Sequence, residues 1–272
     1  MAGAVRAALP EPFAVGLRPI EESDWLRVDG RRVAYLAEKR RLTAEKPDEV
    51  FAQVLGSESG QAEALETIEA WLRANAPVAL ADMPKENPPL MSAGLALCED
   101  LALMRRTDEG WTLAAGSIHF PSVWRLSEKV GRPMHAIHAP VPGYEAGTRG
   151  DGMIERIFDA LAPGTIVERG NWSLHVDEAL HLPRNPSGHE VALARMAPGE
   201  VTARRERQTL RKLPRTGDIL FTIDVSVAPL SSLDAAEREA LSRQLRALDA
   251  PQRSYKGLDL AADPIADAFG TG

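Results

Sequence analysis

The run Ile219–Ala228 constrains this chain most. Ile219, Phe221, Ile223, Val225 and Val227 alternate with Thr222, Asp224 and Ser226. Side chains of a strand alternate between its two faces, so this segment predicts a strand with one apolar and one polar face. Ile166–Val176 repeats the pattern, with Trp172, Leu174 and Val176 on one side and Arg169, Asn171, Ser173 and His175 on the other. Leu101–Arg105 and Trp111–Phe120 flank a Thr107–Gly110 turn and predict a hairpin. An apolar sheet face must be covered, and the helical segments are the available cover. The expected class is α+β: an antiparallel sheet with helices on one face, a layout that also matches a PAS-like domain.

The helices follow from spacing and stop signals. Residues 1–20 read as an irregular arm broken by Pro10, Pro12 and Pro19, and residues 21–75 as helical, with Ser59 capping a helix that carries Leu65, Ile68 and Leu72. Residues 77–92 read as a loop. Ser122 opens a short helix to Val130, and the prolines of His135–Tyr144 argue against regular helix there. Met153–Leu161 and Leu233–Leu248, the latter capped by Ser232, complete the set, with a tail after Pro251 expected to be ordered only in part. The expected organisation is an N-terminal arm and helical extension (1–94), a PAS-like binding domain (95–232) and a C-terminal helix and tail (233–272).

Several functions fall away. A net charge of −7 opposes general nucleic-acid binding, which needs a basic surface. The single cysteine, Cys98, excludes an internal disulfide and a multi-thiolate Fe–S cluster, and suits a reducing compartment. No apolar stretch approaches bilayer length and the N-terminus lacks a signal-peptide core, so the expected location is the cytoplasm, with no membrane and no nucleic acid as partner. The dinucleotide, P-loop, HExxH and GxSxG motifs do not occur.

Three of the six histidines, His119, His135 and His138, fall within twenty residues. Imidazole is the usual proximal ligand of haem, which needs one strong protein ligand, apolar walls and cations for its propionates. His138 lies between Ile137 and Ala139-Pro140-Val141-Pro142, an apolar setting on stiffened backbone. His135 is the neighbouring candidate, and His119 lies in a strand entering the same region. Taken alone, His138 and His135 are each more often loop histidines bonded to backbone, and His119 is more often a packing or distal residue. A two-histidine, one-carboxylate iron site is a further option, although no particular acid stands out as third ligand. Arg204, Arg205, Arg207, Arg211, Lys212 and Arg215 surround the single acid Glu206. This cluster suits propionates or an acidic partner, or else a solvated strand edge. Arg207 is the member expected to be buried. Arg169, Asn171, Ser173 and His175 form either an exposed face or the side of a polar pocket.

Together these segments resemble the haem-dependent oxidative N-demethylase family of α-subunit-like proteins. The resemblance rests on Phe13–Pro19 with Asp24-Trp25, Glu99-Asp100-Leu101, Phe120-Pro121-Ser122 with Trp124, Glu128-Lys129 and Gly131. It continues through Ile137–Tyr144, Arg169 with Asn171-Trp172, Glu206–Leu210 with Leu213-Pro214, and Phe221-Thr222-Ile223. It implies a PAS-type fold holding haem b, with His138 as iron ligand and His135 in reserve. It implies Arg169, Asn171 and Arg207 as pocket residues, and Arg207 or His119 as polar partners of the oxygen. Two positions depart from the pattern: Gly170 where a small polar residue is expected, and His119 where an apolar residue or cysteine is expected.

The activity implied is O2-dependent removal of a methyl group from a small methylated amine, giving formaldehyde. Since this chain has no dinucleotide motif, the electrons would come from NADPH through the flavin or Fe–S centre of a partner reductase, for which the basic 204–215 segment is a candidate docking face. Oligomerisation is left open. The rival readings are a haem-binding PAS sensor or gas-binding module without catalysis, and a metal-free PAS-like interaction domain.

Overall fold

Strong alternation in the last two long strands sets the sheet. A computed structural model describes residues 10–13, 16–85, 88–144, 148 and 150–270. Residues 1–9, 14 and 15 of the expected N-terminal arm lie outside the described residues. The strands are β1 (Arg18–Pro19), β2 (Phe51–Gln53), β3 (Asp100–Thr107), β4 (Gly110–Ser117), β5 (Ile166–His175), β6 (Thr202–Lys212) and β7 (Ile219–Pro229). They form one seven-stranded antiparallel sheet in the order β1-β5-β6-β7-β3-β4-β2. The chain is thus α+β, as the patterning predicts.

The helices are α1 (Arg32–Glu45), α2 (Pro47–Val50), α3 (Glu58–Asn75), α4 (Pro77–Ala81), α5 (Pro89–Gly94), α6 (Met134–His138), α7 (Asp151–Ala160), α8 (His189–Arg195), α9 (Ala235–Ala247), α10 (Ala250–Tyr255) and α11 (Ala262–Phe269). Several differ from expectation. Residues 21–75 are not one helical block: β2 interrupts them and pairs with the edge of β4. The 77–92 loop holds α4 and α5, each opening with proline in its first turn, where the missing N–H costs nothing. The helix proposed from Ser122 shrinks to a single 3-10 turn at Leu126–Glu128. The tail after Pro251 is instead built into the fold. Asp234 with Glu237 and Asp249 with Gln252 form capping boxes at α9 and α10, and α11 packs Ile265 and Ala266 into a core with Trp172, Leu241 and Leu245.

Cores lie on both faces of the sheet. On one, α3 contributes Ile68, Trp71 and Leu72 against Leu101, Leu103 and Leu220. On the other, α7 contributes Phe158 against Leu113, Leu210 and Ile219. Gly170 has a local reason. A Cβ there would stand 2.7 Å from Pro10 Cγ, where the N-terminal segment crosses β5. The polar residue expected at this position would displace that crossing.

Beside β3 sits a buried charge cluster. Lys39 of α1 is fully buried, its ammonium donating to the carbonyls of Gly94 (3.1 Å) and Glu99 (2.6 Å) and pairing with Asp100 at 3.2 Å. Burial alone would raise the Asp100 carboxyl, but Lys39 and His119 hold it below its ordinary value. Removing one partner of a buried pair leaves the other charge uncompensated. Lys39→Met is expected to lower unfolding stability by about 3–5 kcal/mol, with Asp100→Asn in the same chain recovering part of it. Urea denaturation measures both, and equal losses in the single and double variants would contradict this account.

Candidate functional site

The register of β5, β6 and β7 brings one row of side chains to a common face. Arg169 pairs with Gln208 and Asn171 with Glu206 across β5 and β6; Gln208 pairs with Ile223 and Leu210 with Phe221 across β6 and β7. These residues line a cavity of about 440 Å3 between the sheet and the α6–α7 segment. Ala102, Met104 and Leu113 extend its apolar floor, and Ile137, Ile154 and Phe158 form the facing wall. Trp124 and Lys129 come from the 3-10 region, and Phe13, Tyr255 and Lys256 from the two ends of the chain.

His138 enters from the last position of α6, a single turn that starts after Pro133 and stops ahead of Pro140. Its Nδ1 lies 3.1 Å from the Met134 carbonyl. A carbonyl only accepts, so Nδ1 carries the proton and Nε2 keeps its lone pair. Burial pushes the imidazole down to about 4, with Lys129 and Arg169 acting in the same direction against the Met134 bond. The ring stands 6.0 Å from that of Tyr144. His135, three residues earlier on the same turn, is exposed and does not line the cavity.

Three cations face this space. Burial lowers Lys129 to about 8, against the opposing pull of Glu206 and Glu128, and its ammonium sits 4.5 Å over the Trp124 ring. Burial likewise lowers Lys256 to about 8; its ammonium donates to the Trp172 carbonyl at 2.7 Å. Arg169 is also pushed down by burial. Glu206 stands among them, with no ion-pair partner within 4.0 Å among the described residues. Its carboxylate accepts from Ser122 Oγ and, at 2.7 Å, from Gln208 Nε2. Ser122 Oγ in turn accepts from Arg204 Nε at 2.7 Å.

The structure gathers His138, Arg169 and Asn171 at the cavity and leaves other expected residues outside it. Arg207 has the opposite parity on β6, so it points to the far face. There it donates to the carbonyls of Asp24 and Trp25 and pairs with Glu168. His119 is fully buried behind β3, with Nε2 3.0 Å from Thr43 Oγ1 and Nδ1 3.8 Å from Asp100. Ser173 and His175 share the row but lie beyond the cavity, 2.7 Å from each other. The basic segment is no solvated edge, because β6 is paired on both sides. Several of its members are paired within the chain. Arg205 pairs with Glu237, Arg211 with Glu22, and Arg215 with Glu63 and Glu66.

Glu206, Gln208, Lys129, Tyr144 and Lys256 are cavity residues that motif reasoning missed. The shared parity of Glu206 and Gln208 with Leu210 was the available signal for two of them. Lys256 had none, since only the docking of the C-terminal helices brings it here.

Among the described residues, no group of three or more His, Cys, Asp and Glu side chains is placed to hold a metal ion. The residues present do fit haem. A neutral imidazole with a free Nε2 and a backbone-anchored Nδ1 is the donor a haem iron takes. The apolar floor and wall suit a macrocycle, and three desolvated cations suit its two carboxylates.

Residues 69–266 match the family described as haem-dependent oxidative N-demethylase, alpha subunit-like. No curated protein matches the chain.

The buried histidines predict acid lability. A histidine lowered in the fold from its unfolded value near 6.5 binds its proton less tightly when folded, so stability rises with pH. The contribution of His138 is complete above about pH 6.5 and is lost as pH falls towards 4. Melting temperature measured across this window, in protein free of added ligand, should fall more steeply for the wild type than for His138→Gln. Parallel curves would contradict the assignment.

Proposed function

Because the chain belongs to the haem-dependent oxidative N-demethylase, α-subunit-like family, we propose that its cavity binds haem b and that it demethylates a small methylated amine oxidatively. In this reading residues 95–232 form a PAS-type haem-binding unit between the N-terminal helices and the C-terminal ones. The protein works in the cytoplasm, using O2 and electrons passed from NADPH through a flavin or Fe–S reductase. That the family is described by an alpha subunit supports the existence of other subunits.

The observation that carries this reading is the state of His138: neutral, held through Nδ1 by the Met134 carbonyl, with Nε2 available in an apolar cavity. His138 is the iron ligand in this proposal, and the exposed His135 is not. When bound, haem supplies oxidation of an N-methyl C–H bond, after which the amine and formaldehyde separate.

The chain's own residues supply the rest. Arg169, Lys129 and Lys256 are desolvated cations on the cavity wall, and pairing with propionates would compensate their burial. Glu206 takes the substrate. Its two named partners, Ser122 and Gln208, are neutral donors, so its charge is oriented but not neutralised by them. A methylated ammonium group gives it a charge-assisted hydrogen bond, and the facing Asn171 adds a polar contact across the register. The aromatic rings of Trp124 and Tyr144 exclude water from that space. Arg207 and His119 have no contact with substrate in this arrangement; they brace β6 and β3 from behind.

The test is a haem-loaded chain supplied with a reductase and a series of small secondary and tertiary methylamines. O2 consumption that depends on the amine, with formaldehyde formed in proportion, is the expected result. A chain that binds and reduces haem yet shows no amine-dependent turnover would favour the sensor reading. Glu206→Gln is expected to raise KM for the amine about 10–100-fold, the worth of one hydrogen bond to a charged group, with the haem absorbance unchanged. An unaltered KM would remove Glu206 from substrate binding.

A further inference from the structure

Outside the cavity, two buried histidines meet. His175 closes β5 and His189 opens α8, each 4% exposed. Their ring centres are 5.5 Å apart at a tilt of 45°. Neither lines the cavity, and the demethylase reading uses neither.

Their hydrogen bonding is incomplete in one direction. His175 Nε2 is 2.7 Å from Ser173 Oγ, while its Nδ1 is buried and, among the described residues, has no partner in strict hydrogen-bonding geometry. Both ring nitrogens of His189 are buried without a partner in hydrogen-bonding geometry, although the Leu174 backbone lies against the ring. Asn185 faces His175 closely enough to act on it as a hydrogen-bond acceptor, with its buried Oδ1 outside strict hydrogen-bonding geometry among the described residues. Buried polar atoms without partners are rare, and four in one place call for an occupant.

The chemistry of these atoms identifies it. In the tautomer that donates from Nε2 to Ser173, His175 presents a lone pair at Nδ1. A neutral His189 presents a second, and the Asn185 carbonyl oxygen is an acceptor as well. A water molecule donates only two hydrogens, whereas a cation satisfies three acceptors at once. Two imidazoles on one tetrahedral ion, with bonds of about 2.0–2.1 Å, place their ring centres about 5 Å apart. The serine hydroxyl behind His175 and the backbone behind His189 are the supports that ligating histidines use.

We propose that His175, His189 and Asn185 form a binding site for a divalent transition-metal ion of the class that prefers imidazole, Zn2+ being the reference. Burial keeps both imidazoles in the neutral, ligating form, His175 down to about 3. Asp177 and Glu190 supply negative charge near His189, while Arg204 and Lys256 oppose it near His175. Arg204 is tied to the carbonyls of Ala179 (3.0 Å) and Leu180 (2.9 Å), which anchors the loop that carries Asn185. The ion would clamp that loop and α8 to the end of β5.

Zn2+ titrated calorimetrically into the full chain tests this. One ion per chain is expected, with His175→Gln and His189→Gln each weakening binding at least tenfold and Asn185→Asp, which adds a charge, tightening it at least tenfold. Cu2+ bound to the wild type should show electron-spin couplings to two imidazole nitrogens, and to one in His189→Gln. Zn2+ affinity and stoichiometry unchanged in the His175→Gln/His189→Gln chain would overturn the site, as would absence of binding. Should the histidine variants not fold, an unchanged affinity in Asn185→Asp overturns it alone. These outcomes are independent of haem binding and of demethylation.

Discussion

A single guanidinium holds the candidate site in shape. Arg204, 1% exposed, donates to the carbonyls of Phe120, Pro121, Ala179 and Leu180 and to the hydroxyl of Ser122. Burial presses it towards deprotonation, with Glu206 and Asp100 opposing. A buried charge is tolerated where hydrogen bonds satisfy it fully, and here they join β6 to two loops that have no regular structure of their own. Ser122 passes the constraint to Glu206. The orientation of the one carboxylate on the cavity row of β6 therefore depends on a residue that never reaches the cavity.

Much of the sheet was legible because period-two alternation is a direct signature of a strand with one covered face. It marked β7 and β5 and the β3–β4 hairpin, and it placed Trp172 in a core. The short elements were not legible. β2 has three residues and exists only because β4 offers it an edge. α6 is one turn among prolines that normally argue against helix, yet Pro133 precedes the turn and Pro140 follows it. The C-terminal helices were readable in principle. Asp234-x-x-Glu237 and Asp249-x-x-Gln252 are capping-box spacings that outrank the tail's polar composition as a signal.

The site was legible residue by residue to different depths. His138, Arg169 and Asn171 line the cavity. Arg207 shows the limit of counting charges. Its neighbour Glu206 has the parity that faces the cavity, and one residue along a strand exchanges the two faces. The arginine cluster looked like a surface for a partner, but its acids come from α3, α9 and the Glu22 region, far away in sequence. Lys256 is similar: long-range docking decides its place, and nothing within its own segment announces it.

The account turns on one imidazole. Family membership argues for haem at the level of the whole chain, and Nε2 of His138 is the iron ligand we propose. The most direct test is the absorption spectrum of the haem-reconstituted chain, recorded oxidised, reduced and reduced with CO. Wild type and His135→Ala should show the same Soret band, shifting on reduction and again with CO, and His138→Ala should lose that band position while keeping the circular dichroism of a folded chain. A colourless wild type after reconstitution, or a His138→Ala spectrum identical to the wild type, would contradict it.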